Sequence, residues 1–255
     1  MKNLQYFILL LLITACTKTE IIPIAFTGEP PIEIICAAGN YEILDAAFGE
    51  YLIFLNVPGA TSETVQQVTK FYIDTCEVKT VNALELLKTS NSTAALTAAG
   101  VATATTKIAN LDGIQYFSGL DTLKLTSNNL QTLDLSGNPD LLVLEMNFNF
   151  INELDFSHNL KLQRVRFKAS AQASSSLKLQ SIDVSQNAAL RHLYLPRHRL
   201  TSIELNNHLS FDELIDLTEN PGPDNDDNTS DIEIPASVYD RIQAAGGTLL
   251  GVKRG

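Results

Sequence analysis

The chain has 255 residues, 45% of them hydrophobic and 18% charged, which is too apolar for a disordered tail and too sparsely charged for a long exposed coiled coil. With 18 Lys and Arg against 29 Asp and Glu its formal charge is −11, a field that repels nucleic acid and anionic lipid, so no nucleic-acid partner is expected. The length allows one large domain or two small ones, and the 13 glycines and 9 prolines exclude collagen-like and proline-rich designs.

Met1, Lys2 and Asn3 form a short basic start, and Tyr6 to Ile13 is an unbroken apolar run. Eight helical residues span about 12 Å against a bilayer core of about 30 Å, so the run reads as a signal-peptide core over residues 1–15 and not as a membrane span. It ends in Ile13-Thr14-Ala15-Cys16, which resembles the bacterial lipobox. That resemblance implies cleavage before Cys16, lipidation of its sulfur, and membrane contact through the lipid alone. Cys36 and Cys76 then remain as an even pair in an exported chain. A disulfide between them is expected, stabilising by about 3–4 kcal/mol, with two small buried thiols as the other reading. Residues 16–34, with Pro23, Pro30 and Pro31, read as an extended tether.

Residues 35–107 read as a helical N-terminal cap. Asp45 is placed to cap a helix over Ala46 to Leu55, with Phe48, Leu52 and Leu55 on one face and Pro58-Gly59 ending it. Thr61 or Ser62 opens a second amphipathic piece through Val65, Val68 and Phe71. Val81 to Leu87 and Thr93 to Ala99 read as shorter helices, the latter stopped by Gly100.

From residue 108 to 220 the character changes. Leu120-DT-Leu123-K-Leu125-TS-Asn128 is followed by Leu130-QT-Leu133-D-Leu135-SG-Asn138, then by Leu141-LV-Leu144-E-Met146-NF-Asn149 and Ile151-NE-Leu154-D-Phe156-SH-Asn159. Leu162-QR-Val165-R-Phe167, Leu179-QS-Ile182-D-Val184-SQ-Asn187, Leu190-RH-Leu193-Y-Leu195-PR-His198 and Leu200-TS-Ile203-E-Leu205-NN-His208 continue it. Units begin 10 or 11 residues apart, giving a 21-residue period, broken once where Ala169 to Ser176 is inserted. A fixed period with apolar residues at constant offsets means a solenoid. The alternation sends leucines inward from short strands, and the asparagine three places on satisfies backbone groups that the turn would bury.

These residues resemble the leucine-rich repeats of bacterial internalin-type surface proteins, and the stretches around Ile43 and Ile108 resemble the entry segments of leucine-rich repeat lipoproteins. The resemblance implies an α/β right-handed solenoid with a parallel β-sheet. A short C-terminal cap over residues 221–255 completes it, carrying a helix over Ser237 to Ala245.

The internalin-type arrangement also implies a concave sheet whose outward rows can be named. The central row is Lys124, Glu145, Arg166, Tyr194 and Asp216. The row before it is Thr122, Val143, Arg164, His192 and Leu214, and the row after is Thr126, Asn147, Lys168, Pro196 and Thr218. Lys124, Glu145 and Arg166 alternate in sign, as a cross-strand charge ladder would. Arg164 and Lys168 have no acid in their rows. With Arg166, His192 and Tyr194 they form a cationic and aromatic patch suited to an acidic or sugar ligand. Asp134, Asp155, Asp183 and Glu204 make an acidic row on the other side, where Ser136, Ser157 and Ser185 are placed to share hydrogen bonds. His198 and His208 stand at asparagine positions as structural substitutes, and the acidic loop 223–231 matches a calcium loop in composition only. No nucleophile, metal or phosphate motif is present, so neither an enzyme nor a cofactor nor a metal site is expected. The expectation is a monomeric, non-catalytic binder of a protein or carbohydrate ligand, lipid-anchored in the outer membrane and exposed at the cell surface. The alternative is a periplasm-facing structural or accessory subunit of an envelope complex.

Overall fold

The computed structural model describes residues 39–205, 214–221 and 232–255. The cap begins with β1 (Asn40–Ile43) and α1 (Ala46–Phe54). Asp45 caps α1, its Oδ1 accepting from the Phe48 amide at 3.0 Å. Its Oδ2 accepts from the amides of Ala109 and Asn110 at 2.8 and 2.9 Å, so one carboxylate starts the helix and ties it to the solenoid entry. Phe48 and Leu52 are buried as expected, whereas Leu55 lies at the helix end, 38% exposed.

The second amphipathic helix is not formed. Its residues make a hairpin, β2 (Ala60–Val65) and β3 (Val68–Asp74), antiparallel to each other, with β1 on the far side of β3. Threonine and β-branched residues favour strands, and Phe71 and Ile73 face inward at two-residue spacing while Val65 and Val68 are exposed. Gln66 and Gln67, at φ 51° and 68°, form the two-residue turn that a twisted hairpin requires.

The stretch Val81 to Leu87 is also no helix. It contains β4 (Ala83–Glu85), which pairs in parallel with β5 (Thr122–Lys124). Leu84 and Leu86 are buried, so this strand begins the repeat sheet one coil earlier than the motif does. Next comes α2 (Ser90–Ala98), opened by a reciprocal Thr89–Ser92 capping box and ended at Gly100, φ +75°. Lys88 is 8% exposed; its Nζ donates to the Thr103 and Ala104 carbonyls and lies 5.0 Å from the Tyr51 ring centroid.

Beyond the cap the chain winds through β6 (Val143–Glu145), β7 (Arg164–Arg166), β8 (Asp183–Val184), β9 (His192–Tyr194), β10 (Glu204–Leu205) and β11 (Leu214–Asp216). The C-terminal cap supplies β12 (Ile232–Ile234), α3 (Ala236–Ala244), β13 (Thr248–Leu250) and β14 (Val252–Arg254). Seven strands form one parallel sheet in the order β13-β11-β9-β7-β6-β5-β4; β8 pairs with β10 on the other side, and β12 with β14. The central residues Leu123, Leu144, Val165, Leu193 and Ile215 are fully buried. Gly251, at φ +68°, lies against the Leu217–Thr218 peptide, where a Cβ would come within 2.6 Å of backbone. This is a leucine-rich repeat solenoid, capped at its start by a helix and an antiparallel sheet.

Two ladders of buried asparagines pin the coils together. Asn149 donates through Nδ2 to the carbonyls of Leu125, one coil back, and Met146, in its own coil, at 3.0 and 2.9 Å. Its Oδ1 accepts from the Leu130 amide at 3.1 Å. Asn128 and Asn220 repeat the scheme. Asn138, Asn159 and Asn187 make the second ladder, each joining two carbonyls. Replacing Asn149 with alanine strips partners from three buried backbone groups and opens a small void. We expect a loss of about 3–4 kcal/mol, read by urea denaturation, whereas Asn147→Ala on the outward face should cost about 1 kcal/mol.

Candidate functional site

Strands β5, β6, β7 and β9 point their central residue inward and their two flanking residues outward. In β11, by contrast, Asp216, expected to face outward, is buried, its Oδ1 accepting from the Thr218 amide and hydroxyl. The strand register builds the expected rows. Thr122, Val143, Arg164, His192 and Leu214 are successive Cα partners, as are Lys124, Glu145, Arg166, Tyr194 and Asp216. The sheet lengthens both rows, with Ala83 and Glu85 before them and Thr248 and Leu250 after.

The added strand changes the charge pattern. Lys124 pairs with Glu85 at 2.6 Å, a bond that raises its pKa. Among the described residues neither Glu145 nor Arg166 is in an ion pair, so the expected three-member ladder is replaced by one pair from the cap. The Arg166 guanidinium instead lies over the Tyr194 ring, 5.2 Å from its centroid, within cation–π range. Its Nε is buried with no hydrogen-bond partner among the described residues. Lys168 is held through its backbone amide, which donates to Asn147 Oδ1 at 2.8 Å, and its ammonium makes no ion pair among the described residues. Arg164 and His192, both partly buried, are sheet partners in the row before. The sheet therefore gathers Arg164, Arg166, Lys168, His192 and Tyr194 on two adjacent strands, while Lys124 sits two coils away, tied to the cap.

On the other side, Asp134, Asp155 and Asp183 each accept from the backbone amide two residues on, Ser136, Ser157 and Ser185, at 2.8–2.9 Å. These serine bonds hold all three carboxyls below the usual carboxylate range, the amide acting most on Asp134 and Asp155 and the Ser185 hydroxyl on Asp183. Here the structure adds an open groove of about 640 Å³, lined by Gln131, Thr132, Asp134, Glu153, Asp155 and His158 among others. Its only signal in the sequence is the recurrence of polar residues before each Leu-Asp pair. Among the described residues no cluster of three or more His, Cys, Asp or Glu is arranged to hold a metal.

The remaining singled-out residues are dispersed. Cys76 is disulfide-bonded; Cys36, its expected partner, lies outside the described residues, as do Cys16, His208 and loop 223–231. His158 Nδ1 is 3.1 Å from Ser157 Oγ. His198, 3% exposed, takes an asparagine's place: its Nδ1 accepts from the Leu179 amide at 3.3 Å and its Nε2 donates to the Phe167 carbonyl at 2.8 Å. That bonding needs a neutral ring, and burial pushes its pKa down to about 4.

No protein-family model and no curated protein matches the chain. Among solved structures it is similar to the functional domain of InlJ from Listeria monocytogenes, described as including a cysteine ladder, with 22% identity and a TM-score of 0.38 over 68% of this chain. The chain spans 42% of that protein's length. The leucine-rich repeat fold rests on the sheet and ladders described above.

The histidine yields a pH test. Between pH 6.5 and about 4 the unfolded chain binds a proton at His198 that the folded chain refuses, so stability falls as the pH drops through that window, by up to ~3 kcal/mol. His198→Asn offers an amide in the same place without the titration. In urea denaturation at pH 7, 5.5 and 4.5, its stability should fall less with acid than that of the parent chain; parallel curves would show that His198 does not titrate with unfolding.

Proposed function

We propose that this chain is a non-catalytic binding lipoprotein of the bacterial cell envelope that holds a protein or glycan ligand on its concave sheet. What supports the reading is the division of labour along each repeat strand. Inward residues and the asparagine ladders hold the fold, and the outward cations Arg166 and Lys168 contribute no ion pair to it among the described residues. Solenoids of stacked repeats present such faces to extended partners. Arginine and tyrosine, adjacent here, are among the side chains most enriched at binding hot spots. The opposite face is acidic, so the two faces select ligands of different charge.

The envelope location follows from the lipobox-like Ile13-Thr14-Ala15-Cys16; among the described residues no helix is long and apolar enough to cross a membrane. We place the solenoid at the outer membrane, facing outward. Protease treatment of intact cells, with a periplasmic control, should digest the solenoid and spare the control. Protection until the outer membrane is opened would favour the periplasm-facing accessory subunit instead.

Binding is tested on peptide and glycan arrays with the parent chain and with Arg164→Glu/Arg166→Glu. These outward substitutions should leave the melting temperature within a few degrees and weaken array hits at least tenfold. Hits indifferent to the charge reversal would overturn the concave site.

A further inference from the structure

We propose that the cationic line along β7 and its continuation to Lys168 takes an extended acidic peptide segment that crosses the sheet along the strand, with carboxylates at alternate residues; this rests on the concave-binding reading. The patch has two axes, and its charge differs along them. Along the solenoid the central row runs Glu85, Lys124, Glu145, Arg166, Tyr194, so a uniform polyanion laid that way meets an acid on both sides of Lys124. Along the strand Arg164, Arg166 and Lys168 follow at alternate positions, each partly buried, with Val165 and Phe167 fully buried between them. The favourable direction for an anion is therefore across the sheet, parallel to β7.

The spacing selects the kind of anion. Alternate residues of an extended strand lie about 6.6–6.8 Å apart. An extended peptide repeats its same-face side chains at that same interval, so carboxylates at every second residue register with Arg166 and Lys168, which make no ion pair among the described residues. Glu145 flanks the line on the cap side and Tyr194 on the other, which leaves a lane one chain wide and penalises negative charge displaced toward the cap. Arg166 is already steadied by its contact with Tyr194, so less side-chain freedom is lost when its guanidinium receives a carboxylate. The overall charge of −11 opposes approach, but beyond about 8 Å it is screened at physiological salt, and the local line governs docking.

Fluorescence anisotropy on the full chain tests this with three labelled probes. They are a heptapeptide alternating serine and glutamate, one of the same composition with its three glutamates contiguous, and an oligogalacturonate. The alternating peptide should bind at least fivefold tighter than the contiguous one, more weakly as salt rises. Arg166→Gln/Lys168→Gln should erase that preference while leaving the melting temperature within a few degrees. Equal binding of the two peptides, no binding of either, or a preference that survives the double variant overturns the proposal. Tighter binding of the oligogalacturonate, lost in the same variant, overturns the peptide assignment and leaves the concave-binding reading standing. Only array ligands that ignore Arg164→Glu/Arg166→Glu overturn that reading.

Discussion

A chain wound into stacked coils turns its backbone inward at every corner, and each amide or carbonyl left there without a partner costs about 1–3 kcal/mol. The first asparagine ladder meets that demand with three bonds per side chain, two given through Nδ2 and one received through Oδ1, as at Asn128, Asn149 and Asn220. Because one of the carbonyls belongs to the previous coil, the same bonds set the register between coils. The second ladder is looser: Asn138, Asn159 and Asn187 use Nδ2 twice, and their buried Oδ1 atoms have no partner among the described residues. The fuller ladder adjoins the ends of the concave strands, and so fixes the face on which the outward rows line up.

His198 shows how far the ladder tolerates substitution. An asparagine amide has two N–H groups; a neutral imidazole has one, together with one acceptor nitrogen. The ring therefore donates only to the previous coil, at the Phe167 carbonyl, and accepts from Leu179. The own-coil carbonyl, Leu195, is served by Asn220 from the next coil. The ring also packs on Phe167, centroids 4.3 Å apart. The exchange is stable because the neighbouring rung covers the bond the histidine lacks, at the cost of a site that resists protonation.

The repeat strands were legible in the sequence because inward leucines and buried asparagines recur at offsets that few other arrangements tolerate. The cap was less legible for specific reasons. Val65, Val68 and Phe71 fall at three-residue intervals, as on a helix, yet only Phe71 is buried; the decisive signal was the alternation at Phe71 and Ile73 among threonines. The strand at Ala83–Glu85 was hidden because Leu84-Glu85-Leu86 is followed at the asparagine offset by Thr89. That residue caps α2 instead of serving a ladder. Without this strand Glu85 was missing from the central row, and the ion pair it makes with Lys124 was not foreseen. The register placed Arg164 beside His192 and Arg166 beside Tyr194, but the stacking of Arg166 on the ring depends on rotamers that no pattern encodes.

The repeat departs from its period beside the cations. Twenty-one residues separate Thr122 from its sheet partner Val143, and 28 separate Arg164 from His192. The extra residues leave the sheet directly after Lys168, bury Ala169 and Ser170, and return through a short turn at Ser175–Leu177. Ser170 stands where an asparagine would complete the rung, so this coil gives up a ladder bond. A regular solenoid gains nothing from such a break, since the coil before it closes in 21 residues and the coil after it in 22. The coil that carries Arg164, Arg166 and Lys168 is also the one whose rim is enlarged at the expense of the ladder. Charge and insertion coincide on one coil, a coincidence that supports the proposed concave binding face over a merely solvated one.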